Sequence, residues 1–138
     1  MALERIWPDD VYVRELPNVD GKVYAQVVRS SGATRRGHVA GTFGFDRDGY
    51  LADGTGMREQ TRLVMENIGR SLAAAGATPA DDVRTKTYVT DIAAYVREGH
   101  PEWLAFFGDR LPASTAVQIV ALADRRAVVE SEAYAEIE

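Results

Sequence analysis

The sequence predicts an α+β domain of two layers, one mixed β-sheet with two helices packed on one of its faces. Three observations carry the prediction. An apolar stripe at helical spacing (Val64, Ile68 and Leu72, with Met65 and Ala75 beside it) marks a long amphipathic helix in the middle of the chain. β-rich segments flank it, VYAQVVR and HVAGTFGF before it and VRTKTYVT after it. A second apolar and aromatic stretch running to Phe107 separates that strand from the last two, so the order is strands, helix, strand, helix, two strands.

Each element has its own signal. Residues 1–10 read as a short N-terminal arm, and Val11–Leu16 alternates loosely enough to be expected as a first strand. Pro17, Asn18, Val19, Asp20 and Gly21 are turn chemistry. Val23–Arg29 is a further strand, Ser30–Gly37 a polar turn, and His38–Phe45 a strand whose Gly41 and Gly44 suggest a bulge or a close backbone approach. Asp46–Gly49 closes the next turn. The long helix is expected from about Gly56 to Ala75, with Arg58, Glu59, Arg62, Glu66 and Arg70 on its outer face. Gly76 suits the position after its end, and Pro79 confirms the stop. Val83–Thr90 places Val83, Thr85, Thr87 and Val89 on one face against Arg84, Lys86 and Tyr88 on the other. Asp91 is a natural N-cap for a second helix through Phe107, with an interruption expected near Gly99, His100 and Pro101. Thr115–Leu122 and Ala127–Ala135 are the last strands, joined by Ala123–Arg126 read as a hairpin turn. The uncovered sheet face, with Val117, Ile119 and Val129 as candidate apolar residues, calls for a partner subunit.

Residues 1–138 read as a single domain. The formal net charge of −5 argues against nucleic acid as a partner, and the pairs Arg35-Arg36 and Arg125-Arg126 read as solvated turns. There is no cysteine, which removes disulfides, thiolate nucleophiles and cysteine zinc sites. His38 and His100 are the only histidines, and no HExxH or phosphate-binding loop is present, so no metal site and no cofactor are expected. Gly54-Thr55-Gly56 before the long helix reads as a capping loop in preference to an anion site. Neither a signal-like leader nor a membrane span is legible, and the expectation is a soluble, cytoplasmic protein.

Four segments together, in their order and spacing, carry a resemblance across roughly Tyr24 to Ala135. They are VAGTFGFDRDG (Val39–Gly49), the helix with Gln60, Asn67, Ile68 and Leu72 followed by Ala75-Gly76, Asp82-Val83 leading into TYVTD (Thr87–Asp91), and Phe106-Phe107 followed by LPAST (Leu111–Thr115) and VVESEA (Val128–Ala133). The chain resembles the RidA (YjgF/YER057c/UK114) family. The resemblance implies a chorismate-mutase-like fold and a homotrimer with small-molecule ligands in clefts between subunits. In the family's archetypes it also implies cofactor-free hydrolysis of reactive enamines and imines derived from amino acids.

Such a hydrolysis needs a hold on the substrate, a positioned water and a path for protons to the departing nitrogen. By resemblance Glu130 is the cleft glutamate that orients the attacking water. Glu130 and Glu132 alternate with Val129, Ser131 and Ala133, so both carboxylates share one sheet face. Tyr24 matches a cleft aromatic, and Gly41 is retained from the family's turn. Thr42 replaces a glutamine there, and Ala40 stands where a serine is frequent. His100 lies near the position of a cleft asparagine, after a one-residue insertion. The archetype grips its substrate's carboxylate with an arginine in a P-A-R-S-like segment, whereas this chain reads Pro112-Ala113-Ser114-Thr115.

Ser114 thus stands for the arginine, and a hydroxyl brings one hydrogen bond and no charge. Arg84 and Arg29 are candidates to supply charge from another strand, Ser114 and Thr115 to hold substrate, and Trp103, Phe106 and Phe107 to line the cleft. The expected function is a RidA-like hydrolase or deaminase for reactive enamines, imines or related metabolites, with Glu130 catalytic and Tyr24, Gly41, Thr42, His100, Ser114 and Thr115 binding. The alternative is a non-catalytic metabolite-binding or chaperone-like trimer, with endoribonuclease activity third. Whether Glu132 and His100 face the cleft is open at this point.

Overall fold

The amphipathic segment forms α1 (Met57–Ala74), and its stripe is the centre of the core, with Val64, Met65, Ile68 and Leu72 each at most 2% exposed. The structure is a computed structural model that describes residues 1–17 and 19–138; Asn18 of the expected Pro17–Gly21 turn lies outside the described residues. The helix stops as its sequence requires. Gly76 adopts φ +78°, its N–H bonds the Ala73 carbonyl (3.0 Å), and the Ala77 N–H reaches back to Leu72 (2.9 Å). This pair of bonds satisfies carbonyls that the helix end leaves open, and buried Ala77 packs over the same end.

The main sheet has the order β3–β6–β4–β5, with β3 (Arg35–Thr42), β4 (Asp82–Val89), β5 (Ala113–Gln118) and β6 (Val129–Ile137). β4 and β5 are parallel and the other pairs antiparallel, so the sheet is mixed. The segment between β4 and β5 is helical, as a parallel crossover demands. It runs as α2 (Ile92–Ala94), a π turn (Tyr95–Gly99) and α3 (His100–Phe107). Asp91 caps it by accepting the Ala94 N–H at 3.0 Å. The expected break near Pro101 is a widening of the helix. Proline has no N–H to offer and crowds the carbonyl one turn back, and the His100 N–H bonds Tyr95 five residues behind.

Two expectations about strands are corrected. Val11–Leu16 is not a strand, and the arm is where one forms: β1 (Ala2–Ile6) pairs with β2 (Val27–Ser31), supported by an ion pair between Arg29 and Glu4. A strand needs a free ladder partner, and β1 has taken the one that β2 offers. The Arg5 guanidinium pins this arm through the carbonyls of Leu111 (3.0 Å) and Ala80 (3.2 Å). Secondly, β5 and β6 are not a hairpin. β5 lies parallel on one side of β4, and the chain crosses the end of β4 to lay β6 on the other side. Ile119 N–H to Val89 and Thr90 N–H to Val128 tie this crossing down. The residues read as a hairpin turn instead form a local turn in which Asp124 accepts the Arg126 N–H at 2.9 Å.

Both helices cover one face of the sheet. Thr85, Thr87 and Val89 of β4 and Val129, Ser131, Ala133 and Ala135 of β6 point into them, buried. Val129 therefore belongs to the core and not to the open face, as its alternation with Glu130 requires. The open face carries Lys86 and Tyr88 from β4, Thr115 and Val117 from β5, and Glu130, Glu132 and Tyr134 from β6. It is more polar than the sequence reading anticipated. Among the described residues no helix is long and apolar enough to cross a membrane.

Candidate functional site

Five of the seven predicted site residues fall into two places on the chain, and Thr42 and Thr115 into neither. The first is a cavity of about 220 Å³ beside β5, on the helix-covered side, lined among others by Arg14, Tyr24, Tyr95, His100 and Ser114. β5 is the last strand of the sheet, and among the described residues its outer edge carries one isolated bridge, between Ala25 and Ala113. That bridge brings Tyr24 to the Ser114 end of the strand. The Tyr24 carbonyl accepts the Trp7 indole N–H (2.7 Å), and its hydroxyl accepts the Arg14 backbone N–H (2.9 Å). The hydroxyl of Ser114 accepts from Thr85 (3.0 Å), whose own oxygen also accepts the buried Trp103 indole N–H (3.1 Å). Because the Ser114 oxygen is already an acceptor, its proton remains to be given to a ligand.

His100, the first residue of α3 after the π turn, enters this cavity. Its ring stacks on Trp103 with centroids 5.2 Å apart and tilts against Tyr95 at 6.0 Å. Burial lowers its pKa below the ordinary 6.5, a hydrogen bond to the Val23 backbone opposing this in part, so the ring is neutral at pH 7. A neutral imidazole has one donor and one acceptor and can pass a proton. Tyr95 is held as the phenol, because burial raises its pKa.

The second place is a depression of about 370 Å³ on the open sheet face, with Gly41, Tyr88, Glu130 and Glu132 in its wall. The Glu130 carboxylate rests on the backbone of Gly41, where a Cβ would overlap it. This is the close approach that the glycine implied in the sequence. Gln60, buried in α1, fixes the strand entry: its amide donates to Thr55 (2.8 Å) and Arg126 (3.0 Å) and accepts the Val128 N–H (2.9 Å). The two carboxylates differ in character. Glu130 is pushed up by burial and then by the charge of Glu132. Glu132 is pulled down by the hydroxyls of Tyr88 (2.7 Å) and Tyr134 (2.8 Å), so it stays ionised. Neighbouring acids driven apart in this way can serve as base and permanent anion.

The structure thus brings together Tyr24, His100 and Ser114 in one place and Gly41 and Glu130 in the other, and the two share no lining residue. Thr42 turns its hydroxyl onto the Ala40 carbonyl (2.7 Å). Thr115 points to the open face, away from Ser114, and takes a hydrogen bond from Arg84 (3.2 Å). Arg29 is paired with Glu4, so neither arginine suggested by the sequence reaches the Ser114 cavity. Trp103 and Phe107 are core residues and neither they nor Phe106 line it. Thr55, in the loop before α1, spends its hydroxyl on Ala52 (2.6 Å). Arg14, Tyr95 and Tyr88 went unnoticed in the sequence. Tyr88 had a signal in its alternation with Arg84 and Lys86, but its partner Glu130 depends on a strand register that one sequence does not show. No cluster of residues able to hold a metal ion occurs among the described residues.

Comparison with known proteins agrees with this fold. The family model described as Endoribonuclease L-PSP matches residues 19–137. A RutC family protein of Pyrococcus abyssi is 33% identical over 98 residues, which is 70% of this chain and 75% of that protein. The crystal structure of a Rid-family protein of unknown function from Yersinia pestis superposes with a TM-score of 0.81 at 29% identity, covering 99% of this chain and 100% of that one. A member of the YjgF/YER057c/UK114 family from Mycobacterium tuberculosis does so with a TM-score of 0.65 at 35% identity, covering 83% and 86%. The mixed sheet with its helices on one face, and the family match over most of its length, identify the chain as a member of the RidA (YjgF/YER057c/UK114) family.

Proposed function

We propose that the protein hydrolyses a reactive enamine or imine of a small metabolite in a cleft made where two copies of the chain meet. The observation that carries this reading is the carboxylate of Glu130, seated on Gly41 with a raised pKa beside an ionised Glu132. The depression that holds it is open and lacks a wall opposite. The cavity with Tyr24, His100 and Ser114 lies at the edge of β5 and, among the described residues, has no carboxylate in its lining. Each half has what the other needs, and a closed ring of copies, taken as a homotrimer from the resemblance, joins edge to open face. Assembly of such a ring in the cytoplasm is consistent with the cysteine-free sequence.

In this reading Glu130 takes a proton from water as the oxygen attacks the C=N carbon. The proton passes to nitrogen, neutral His100 serving as carrier, and as the tetrahedral intermediate collapses its hydroxyl proton follows to nitrogen, so that a carbonyl forms and ammonia leaves. Water supplies the oxygen and the two hydrogens that the imine nitrogen gains, so no cofactor is needed. The test is ammonia release from freshly generated imines, one bearing a carboxylate and one neutral. Glu130→Ala should lower the rate by a factor of about 100 or more, the usual scale of a lost general base. Gly41→Ala, which shifts the carboxylate but does not remove it, should lower it less. Equal rates with wild type, Glu130→Ala and no protein would sink the reading. That result would favour a ligand-binding trimer without turnover, for which the uncharged Ser114 already speaks. The acidic charge weighs against ribonuclease activity.

A further inference from the structure

Arg14 lies in the strandless segment between β1 and β2 and lines the same cavity as Ser114. We propose that Arg14 is the specificity-determining residue of this cavity and selects ligands that carry a carboxylate. The inference rests on the reading of that cavity as a ligand site.

Three features support it. The first is placement. The Arg14 backbone is held at the cavity by the Tyr24 hydroxyl (2.9 Å), and Tyr24 is itself held by the Trp7 indole (2.7 Å). The side chain therefore starts from an anchored point although its segment is a loop. The second is availability. Arg14 pairs with no carboxylate among the described residues, and of the eight arginines of which this is true it is the one that lines this cavity. The third is the absence of a rival charge within the lining among the described residues. Tyr24, Tyr95 and Ser114 are hydroxyls, His100 is neutral, and Val23, Ile92 and Ala116 are apolar. An entering anion meets one guanidinium, whose planar fork suits a carboxylate, and one free hydroxyl proton from Ser114.

The position also fixes an orientation. Arg14 is exposed and the apolar wall of Val23 is buried, so the carboxylate sits at the mouth and the apolar part of the ligand points inward.

Benzoate and benzamide, matched in shape and different in charge, test this on the full-length protein. Tryptophan fluorescence reads binding, since Trp7 is bonded to Tyr24 and Trp103 is stacked on His100. Wild type should bind benzoate about tenfold more tightly than benzamide, the lower end of what a charge-assisted contact gives at a partly solvated site. Arg14→Gln should remove that preference by weakening benzoate alone, and Arg14→Lys should restore part of it. A merely structural role would weaken both ligands together. Ala116→Phe, or Ser114→Leu should the first not fold, fills the cavity and should remove both. If Arg14→Gln leaves the preference for benzoate intact while Ala116→Phe removes both ligands, the inference about Arg14 fails and the cavity stands. If the filled cavity binds both as before, or wild type shows no preference, the inference fails, the former result taking the site with it.

Discussion

Glu130 and Glu132 stand two residues apart on one strand face and are driven in opposite directions, one by burial and the other by two tyrosine hydroxyls. Asp82 shows the same physics without a partner. Its side chain is buried at the start of β4, one oxygen accepts the Arg84 N–H (3.1 Å), and the other has no partner among the described residues. Burial raises its pKa from an ordinary 3.8 to about 8. Between these values the native protein holds a proton that the unfolded chain has lost, so this residue's contribution to stability falls as pH rises through the window. The slope is at most about 1.4 kcal/mol per pH unit. Urea unfolding of wild type and Asp82→Asn from pH 5 to pH 8 should therefore show the variant gaining on wild type as pH rises. A difference independent of pH would mean that Asp82 does not titrate in the window. At this scale the sequence was legible where a residue's neighbours lie in its own strand. Glu130 and Glu132 were placed on one face correctly, while Arg14 was invisible because only folding brings it to Tyr24.

The elements divide in the same way. α1 was readable within a residue at each end because its stripe, Gly56 and Gly76 are all local signals. The strand Val11–Leu16 and the hairpin of the last two strands were misread, since each depends on a partner that only the whole fold assigns. The helix before β5 is the informative case. Its π turn gives Gly99 no room for a side chain: a Cβ would lie 2.5 Å from the Tyr95 ring and 2.7 Å from the Thr61 hydroxyl. Gly99→Ala should destabilise the protein by about 1–3 kcal/mol, the cost of overpacking a tight contact, read from the urea midpoint. Because Tyr95 and His100 flank the turn, the same variant should also weaken any ligand of the Ser114 cavity. A variant as stable as wild type would show that α1 and the turn can separate without cost.

On the scale of the molecule, the open sheet face is the feature that one chain leaves unfinished. Its residues are polar, with Lys86 near the ring of Tyr88 (5.9 Å) and His38 edge-on to Tyr134 (5.6 Å). Sedimentation should give a mass of three chains; a single-chain mass at micromolar concentration would leave the two half-sites apart and remove the proposed cleft. The topology has a further consequence for how the protein comes into being. β6, the last strand in chain order, is one of two inner strands, and β3 and β4 both pair on it. While the ribosome is still making residues 1–128, β3 has no partner in the main sheet and α1 has no complete surface to cover. The nascent chain must wait with its apolar stripe unsatisfied, and a chain that stopped before β6 would be no smaller version of this domain but a substrate for proteolysis.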